Sequence, residues 1–264
     1  PPGTGRVHTQ SRGAPSTLHG KLRHWRSPGI SVSLSSAVVV AKRRKMDMRT
    51  PEVFAVILAL ALPGRGDELI KRDQVLETAY LYSAVEFRVD SRNLYTPEQM
   101  PGGRPAYAAA GWTRRVPYAW YGHDELYEFL GKLSEGKGAG DVDTSSGAPY
   151  SQGRVAGVEC SGFVGECWGI PGRLFTADIA RESVSRPIEW HAVAPGDALN
   201  YPRRHVRLVE EYPYDGDADR VLVIESTSGV PAGETKGVIR RVLPDEFRTD
   251  FKTGYTPRRY VGIS

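Results

Sequence analysis

The chain has 264 residues, of which 40% are hydrophobic, and this is enough for one domain with a sizeable core. Its formal net charge of +4 is unevenly distributed. Residues 1–46 contain nine Lys and Arg and no acid, whereas the rest contains 26 basic and 31 acidic residues, a net charge of −5. A mildly acidic folded part argues against nucleic-acid binding by the domain.

Residues 1–45 are rich in Ser, Gly, Arg and His and show no apolar periodicity. Such a composition buries too little apolar surface to fold by itself. We therefore expect a disordered basic leader that lies upstream of the true start, with Met46 or Met48 as the initiator. A basic arm that binds nucleic acid is the alternative interpretation.

Residues 46–66 have the pattern of a signal peptide. Arg49 precedes an apolar run over residues 53–62, and Pro63 ends this run. Ten apolar residues are too few to cross a bilayer, which takes about 20. A basic flank before a short apolar stretch is typical of a cleavable signal peptide. We expect an exported protein, periplasmic or extracellular, whose mature domain covers residues 67–264.

Two helices are predicted before the middle of the chain. Apolar residues recur at helical spacing over residues 69–87, and again at Leu126, Phe129, Leu130 and Leu133. Asp124 is placed to cap the second helix. Residues 131–157 then contain seven Gly together with Ser, Asp and Pro, which predicts a flexible insertion rather than a separate domain.

The run Glu159-Cys160-Ser161-Gly162-Phe163-Val164 is the strongest chemical signal in the chain. Apolar residues continue at helical spacing to Trp168, so a helix is predicted to begin at Cys160. A thiol reacts as its thiolate, which a helix N-terminus and a neighbouring base both favour. A buried small hydrophobe is the alternative role for Cys160. The His205 that follows 45 residues later favours the nucleophile.

Cys167 lies on the apolar face of the same predicted helix and is interpreted as a core residue. Seven residues of helix rise about 10.5 Å, whereas the Cα atoms of a disulfide lie within about 7 Å. Cys160 and Cys167 are therefore expected to be free thiols.

Short β-branched runs separated by turns follow the Cys160 helix. They cover residues 206–209, 221–224, 238–242 and 260–263, and they predict an α+β fold with an antiparallel sheet. Strand alternation places Glu225 on the face that can point at the neighbouring His205 strand. Between these strands, residues 215–219 are predicted to be a solvated hairpin turn, since Ser226 stands where a calcium loop needs Glu. We expect no metal ion and no cofactor.

These residues resemble the NlpC-type cysteine peptidases, papain-like enzymes of bacterial cell-wall turnover. The resemblance covers residues from about 69 to the C-terminus. It depends on the Cys160 run, on Ala194-Pro195-Gly196-Asp197, on His205-Val206 and on the Tyr118-containing segment at residues 116–122. The chain departs from the family pattern with Glu159 in place of Asp, with Glu225 in place of His, Asn or Gln, and with a long insertion before the Cys160 run.

The resemblance implies a papain-like fold, in which N-terminal helices pack on an antiparallel sheet and the nucleophile begins a helix. It implies that Cys160 is the nucleophile, His205 the base, Glu225 the third member of a triad, and Tyr118 an oxyanion donor. The implied substrate is a peptidoglycan peptide, cut at a bond between D-Glu and a diamino acid. A papain-like acyltransferase or amidase on another substrate, or a non-catalytic binding module of the same fold, are the alternatives.

Overall fold

The computed structural model describes residues 69–96, 98–101, 103–142, 148–217, 220–229, 236–243 and 254–264. The predicted basic leader (1–45) and signal peptide (46–66) lie outside these residues. The described residues all belong to one unit, Met48–Ser264. Within these ranges, no helix is both long enough and apolar enough to cross a membrane.

The fold is mixed α+β, with few helices and one large antiparallel sheet. The helices are α1 (Arg72–Ala84), α2 (Leu126–Ser134), α3 (Ala148–Ser151), α4 (Cys160–Cys167) and α5 (Thr176–Ile179), with 3₁₀ turns at Ser91–Asn93 and Trp190–Ala192. The strands are β1 (Glu86–Val89), β2 (Gly111–Arg114), β3 (Gly138–Ala139), β4 (Val155–Ala156), β5 (Ser185–Pro187), β6 (Ala198–Tyr201), β7 (His205–Glu211), β8 (Val221–Thr227), β9 (Gly237–Leu243) and β10 (Thr256–Tyr260).

Six strands form the main sheet in the order β5-β10-β6-β7-β8-β9, and every neighbouring pair is antiparallel. The strands β7 and β8 are both interior strands of this sheet, and a register shift interrupts their pairing between Val209 and Glu211. Two smaller pairs stand apart from this sheet, the antiparallel β1–β2 and the parallel β3–β4. The antiparallel sheet predicted from the sequence is confirmed.

Helix α4 packs across the centre of the sheet because one of its faces is apolar. Phe163, Val164 and Cys167 are fully buried, and they share a core cluster with residues of β7 and β8 such as Leu208 and Ile224. Helix α1 packs against α4 and also contacts strand β9, and the Tyr82 ring of α1 meets the Phe163 ring edge to face. The helical face predicted at Cys160–Trp168 is therefore buried as expected, and the start of α4 is held at a fixed place above the sheet.

The last strand was predicted at residues 260–263, and this prediction is wrong. β10 runs over Thr256–Tyr260, between β5 and β6. The strand contains two adjacent arginines, so the pattern of apolar residues did not predict it. Arg258 is nevertheless buried, and its Nε donates a 2.7 Å hydrogen bond to Ser185 Oγ on β5. The guanidinium is accepted in the interior because a neighbouring strand supplies its hydrogen-bond acceptors.

The prediction that Asp124 caps the second helix is also wrong. Helix α2 begins after Glu125, whose backbone N–H donates to the Glu128 carboxylate at 3.2 Å. Asp124 is fully buried and accepts hydrogen bonds from Tyr150 Oη at 2.6 Å and from Gly157 N–H at 2.8 Å. Lys132 Nζ pairs with the same carboxylate. Asp124 thus ties the insertion to the body of the domain.

Residues 131–157 were expected to be a flexible insertion with little core, and the described part of this segment corrects that expectation. Its first residues complete helix α2, and β3 pairs with β4. Ala139, Tyr150 and Val155 are buried. Gly138 packs directly against the Tyr95 ring, and only glycine fits there because a Cβ would lie 2.5 Å from the ring. Gly138, Gly140 and Gly157 of this segment are therefore required by close packing, since a Cβ at each would lie within 3 Å of a neighbouring atom.

Candidate active site

The candidate nucleophile lies at the first position of helix α4. Cys160 is 7% exposed, and the first intrahelical hydrogen bond runs from Phe163 N–H to the carbonyl of Glu159 at 2.9 Å. The Cys160 N–H therefore belongs to the open N-terminal turn, whose N–H groups have no partner within the helix. The helix dipole and these N–H groups favour negative charge at and beside the sulfur.

Gly162 is required by a close backbone approach rather than by access to the sulfur. A Cβ at this position would lie 2.0 Å from the Gly122 carbonyl oxygen, a distance that no side chain tolerates. Gly122 in turn has no room for a side chain, because its own Cβ would lie 2.3 Å from the Gly157 carbonyl oxygen. These glycines let the segment at residues 117–123 lie directly against the start of α4.

Glu159 fixes the entry to the helix through its carboxylate. It is buried, accepts the Ser161 hydroxyl at 2.9 Å and accepts the Tyr121 N–H at 3.0 Å. Burial raises the pKa of Glu159, and the hydrogen bonds from Ser161 and Tyr121 oppose this rise. Glu159 therefore holds Tyr121, which adopts a positive φ of 72°, against the residues that flank Cys160.

His205 and Glu225 are brought together with Cys160. His205 begins strand β7, and its Nε2 contacts Glu225 Oε2 of strand β8. Cys160 acts on the same imidazole through hydrogen bonding and charge, and it raises the pKa of His205. Because Nε2 is engaged by the carboxylate, Nδ1 is the ring nitrogen left for the sulfur. The structure thus places three of the four predicted site residues in one connected chain of contacts.

In this chain of contacts, His205 and Glu225 each stabilise the ionised form of the other. Burial alone lowers the pKa of His205, but the hydrogen bonds and charges of Cys160 and Glu225 outweigh it and raise the pKa to about 9. Burial alone raises the pKa of Glu225, but His205, Arg207 and Arg241 outweigh it and lower the pKa to about 2. The imidazolium and the carboxylate are therefore both favoured at neutral pH.

Two arginines that the sequence analysis missed complete the surroundings of Glu225, which is fully buried. Arg207 Nε donates to Glu225 Oε2 at 2.9 Å, and Arg241 Nε lies 2.5 Å from Glu225 Oε1. Arg207 had a signal in the sequence, since it follows His205 by two residues and so shares its face of the strand. Arg241 had none, because its position depends on the register between β8 and β9.

Tyr118 lies close to the nucleophile. It is 4% exposed, and its N–H donates to the Lys236 carbonyl at 3.1 Å, while the carbonyls of the two preceding residues accept the N–H groups of Val238 and Val158. Burial raises the pKa of Tyr118, and the charge of Cys160 raises it further. The hydroxyl thus stays protonated and remains able to donate a hydrogen bond.

The turn at Pro195-Gly196-Asp197 supports the site from below the helix. Asp197 is fully buried and accepts the Ala194 N–H at 2.8 Å, while Arg72 and Arg259 pair with its carboxylate at 3.1 and 2.8 Å. Trp168 at the end of α4 donates through Nε1 to the Gly196 carbonyl at 2.9 Å. The turn therefore anchors the end of α4 that is remote from Cys160.

Cys167 is confirmed as a core residue. It is fully buried, whereas Cys160 keeps some exposure, and both are free thiols as predicted. Burial raises the pKa of Cys167 well above its usual range, and the nearby Glu166 charge acts in the same direction. Cys167 is thus held as a protonated thiol of low reactivity.

The remaining histidines outside the leader do not join these contacts. His123 packs its ring against Tyr150, and its Nδ1 lies 3.3 Å from the Tyr121 carbonyl. His191 is exposed in the 3₁₀ turn at Trp190–Ala192. Among the residues that the structure describes, no group of three or more His, Cys, Asp or Glu side chains is arranged to hold a metal ion.

The chain matches no protein-family model, no curated protein and no solved structure.

Proposed function

We propose that the chain is an NlpC-type cysteine peptidase with a papain-like fold, and that it hydrolyses amide bonds in cell-wall peptides. The observation that carries this proposal is the chain of contacts from Cys160 through His205 to Glu225. A thiol at a helix start, paired with an imidazole that a carboxylate orients, is the arrangement that activates a sulfur nucleophile. The motif order of the Cys160 run, the Pro-Gly-Asp turn and His205-Val206 supports the family.

In the acylation step, Cys160 Sγ attacks the carbonyl carbon of the scissile amide and forms a C–S bond. The carbonyl oxygen takes up the negative charge, and the Cys160 N–H and the Tyr118 hydroxyl are its proposed hydrogen-bond donors. The C–N bond then breaks, and the leaving amine takes the proton that the His205 imidazolium holds. The product of this step is a thioester on Cys160 and a free amine.

In the deacylation step, a water molecule attacks the thioester carbonyl. The neutral His205 accepts the water proton, and the C–S bond breaks to release a carboxylic acid and the thiolate. Glu225 keeps the imidazole in one orientation through both steps and stabilises its charged form. Arg207 and Arg241 keep Glu225 ionised, so the carboxylate does not take the proton from His205.

The proposed substrate is a peptidoglycan peptide cut between D-Glu and a diamino acid, and the proposed location is outside the cytoplasm. Both follow from the resemblance and from the signal-peptide pattern.

Mass measurement of products after incubation with muropeptides, beside Cys160→Ala as the inactive control, tests the proposal. The expected result is a mass gain of one water across the two products, absent with the variant. If an added amine is incorporated in place of water, the chain is an acyltransferase instead. If Cys160 stays unreactive toward a thiol probe and no product forms, the binding-module alternative replaces the peptidase.

A further inference from the structure

Arg173 is a partly buried cation whose hydrogen bonds are incomplete. It belongs to the loop between helices α4 and α5. Its Nε and Nη2 are buried, and they donate no hydrogen bond to any residue that the structure describes. A buried charge in this state is costly unless neighbouring groups stabilise it. The surroundings of Arg173 must therefore supply that stabilisation in another form.

Two aromatic rings flank the Arg173 guanidinium. Its Cζ lies 3.9 Å from the centroid of the Tyr121 ring and 4.2 Å from the centroid of the Phe175 ring. The two rings are 5.9 Å apart and nearly perpendicular to each other. The face of an aromatic ring attracts a cation, and more strongly where water is excluded. The same contacts hold the Tyr121 ring in place.

Tyr121 is a residue that needs such support. It adopts a positive φ of 72°, and a residue other than glycine keeps such a backbone conformation only where its surroundings enforce it. Its N–H donates to Glu159 Oε2 at 3.0 Å, and the carbonyl of the next residue, Gly122, accepts the Glu159 N–H at 2.8 Å. Tyr121 is therefore held at its ring by Arg173 and at its backbone by Glu159.

Arg173 also acts on the charge of Glu159. Burial raises the pKa of this carboxyl group, whereas its hydrogen bonds from Ser161 and Tyr121 lower it. The charges of Arg173 and His123 lower it as well, and the effect of Arg173 is the larger of the two. A carboxylate accepts an N–H more strongly than a neutral carboxyl group does. The contact that fixes the Tyr121 backbone thus depends on a charge that Arg173 helps to maintain.

Two further titratable groups share these surroundings. Burial raises the pKa of Tyr118, and the charges of Cys160 and Glu159 raise it further, so its hydroxyl stays neutral. Cys160 directly follows Glu159 in the chain and begins helix α4. A change of Glu159 from its charged to its neutral form therefore reaches the sulfur both as a change in charge and as a weaker hold on the adjoining backbone.

We propose that Arg173 is a positioning residue for the nucleophile: held between the Tyr121 and Phe175 rings, its cation keeps Glu159 as the carboxylate that fixes Tyr121 against the start of helix α4. Arg173 acts on Cys160 through Glu159 and not by its own contact with the reacting atoms. The inference deepens the proposed function, and it rests on that function only for the role of Cys160 as the nucleophile.

The pH dependence of Cys160 alkylation by iodoacetamide, measured on the full chain, tests this role without a substrate. The Glu159 carboxylate is present above its pKa and is lost as the pH falls through it. Arg173→Gln removes the cation but keeps a planar group between the rings. The pKa of Glu159 should then rise, and the acidic limb of the alkylation profile should move to higher pH by about one unit. Arg173→Lys keeps the charge and should restore the wild-type profile.

Glu159→Gln separates an effect through the carboxylate from a direct effect of the arginine charge on the sulfur. In a chain that carries Glu159→Gln, adding Arg173→Gln should cause no further shift, because the two residues act as one unit. Arg220→Gln is the matched control and should leave the profile unchanged. Arg220 lies 4.9 Å from the Tyr214 ring centroid, in the turn after the end of strand β7 that is remote from His205.

Phe175→Leu gives a second measurement if Arg173→Gln does not fold. The Phe175 side chain is 40% exposed, so its replacement removes one of the two rings at little cost to folding. With Arg173 held by one ring alone, the acidic limb should move in the same direction by a smaller amount. An unchanged limb in Phe175→Leu would contradict the proposal.

Three results with Arg173 would also overturn it. These are an unchanged limb in Arg173→Gln, an equal shift in Arg173→Lys, and a full further shift when Arg173→Gln is added to Glu159→Gln. Failure of the peptidase proposal is seen separately, as absence of hydrolysis by the wild-type chain. If the wild type cuts no peptide but the alkylation profiles behave as expected, Arg173 still positions Cys160 and the hydrolysis is ruled out. A Cys160 that does not react in the wild type overturns both proposals.

Discussion

Glu225 is buried among three cationic groups, and this environment gives it a role that a neutral residue does not reproduce. His205 and Arg207 contact Oε2 of this carboxylate, and Arg241 contacts Oε1. A buried charge of this kind is tolerated only with such partners. The same contacts hold the imidazole and raise its pKa, so the chemistry of His205 depends on the charge of Glu225.

Glu225→Gln should lower kcat and move the alkaline limb of the pH profile. The pKa of His205 is about 9 in the folded chain, so the imidazolium is present below that pH and is lost as the pH rises through it. Removing the carboxylate charge lowers this pKa, and the alkaline limb should shift to lower pH. We expect a loss of about 10²–10⁴-fold in kcat. The pH dependence of kcat/KM measures both effects.

Glu210→Gln is the matched control for that substitution. Glu210 is also buried on β7, where it pairs with Arg240 and accepts the Tyr80 hydroxyl at 2.9 Å. The control should cost stability without moving the alkaline limb. A Glu225→Gln profile with an unchanged limb would show that His205 titrates independently of the carboxylate.

The two thiols should differ in reactivity and in their importance for turnover. In the native chain, iodoacetamide should alkylate Cys160 first, since Cys167 is fully buried and held as the neutral thiol. Cys167→Ala should keep turnover but lose about 1 kcal/mol or more of stability from the cavity it leaves. Peptide mapping by mass spectrometry identifies the modified residue. First reaction at Cys167, or turnover by Cys160→Ala, would contradict the assignment.

At the level of elements, the start of helix α4 depends on backbone packing that leaves no room for a methyl group. Gly162→Ala places a Cβ 2.0 Å from the Gly122 carbonyl oxygen, so the helix or the segment beneath it must move. We expect a loss of about 2 kcal/mol or more in the free energy of unfolding. Because Cys160 lies two residues away, kcat should fall as well. Chemical denaturation and steady-state kinetics measure the two effects.

Gly131→Ala is the control of opposite sign. Gly131 lies inside helix α2, and a Cβ there would meet no atom within 4 Å. Alanine restricts the unfolded chain and favours the helix, so stability should rise by about 0.5–1 kcal/mol. Similar losses from both substitutions would mean that helix propensity, rather than the contact with Gly122, governs Gly162.

On the scale of the whole molecule, the insertion at residues 131–157 is packed into the core and is not the flexible segment that its composition predicted. Tyr150 within the insertion donates to Asp124 Oδ1 at 2.6 Å and accepts the His123 N–H at 3.2 Å. Tyr150→Phe should therefore cost about 1–3 kcal/mol, because it leaves a buried carboxylate with one partner fewer. Equilibrium unfolding in urea gives the value.

Tyr260→Phe is the comparison for this change. Its ring stacks on Trp168 at 5.4 Å, and its hydroxyl makes no hydrogen bond within the described ranges. This substitution should be nearly neutral. If Tyr150→Phe were equally neutral, the insertion would be held by its apolar contacts alone.

Local patterns were sufficient to predict helix α4, helix α2, the strands that carry His205 and Glu225, and the core position of Cys167. These features depend on the spacing of residues close together in the chain, at the periods of 3.6 and 2 that helices and strands impose. The pairing of Cys160 with His205 was predicted from the order of motifs, and the structure brings the two side chains together.

Only the tertiary structure decided the contacts that join distant segments. The register between β8 and β9 brings Arg241 to Glu225. Asp124 accepts a hydrogen bond from Tyr150 and does not cap a helix. β10 lies between two other strands although it contains arginines. No local period encodes such contacts, because a buried polar group is acceptable only when the fold supplies its partner. The sequence therefore determined which residues are candidates for the proposed chemistry, and the fold determined which charges surround them.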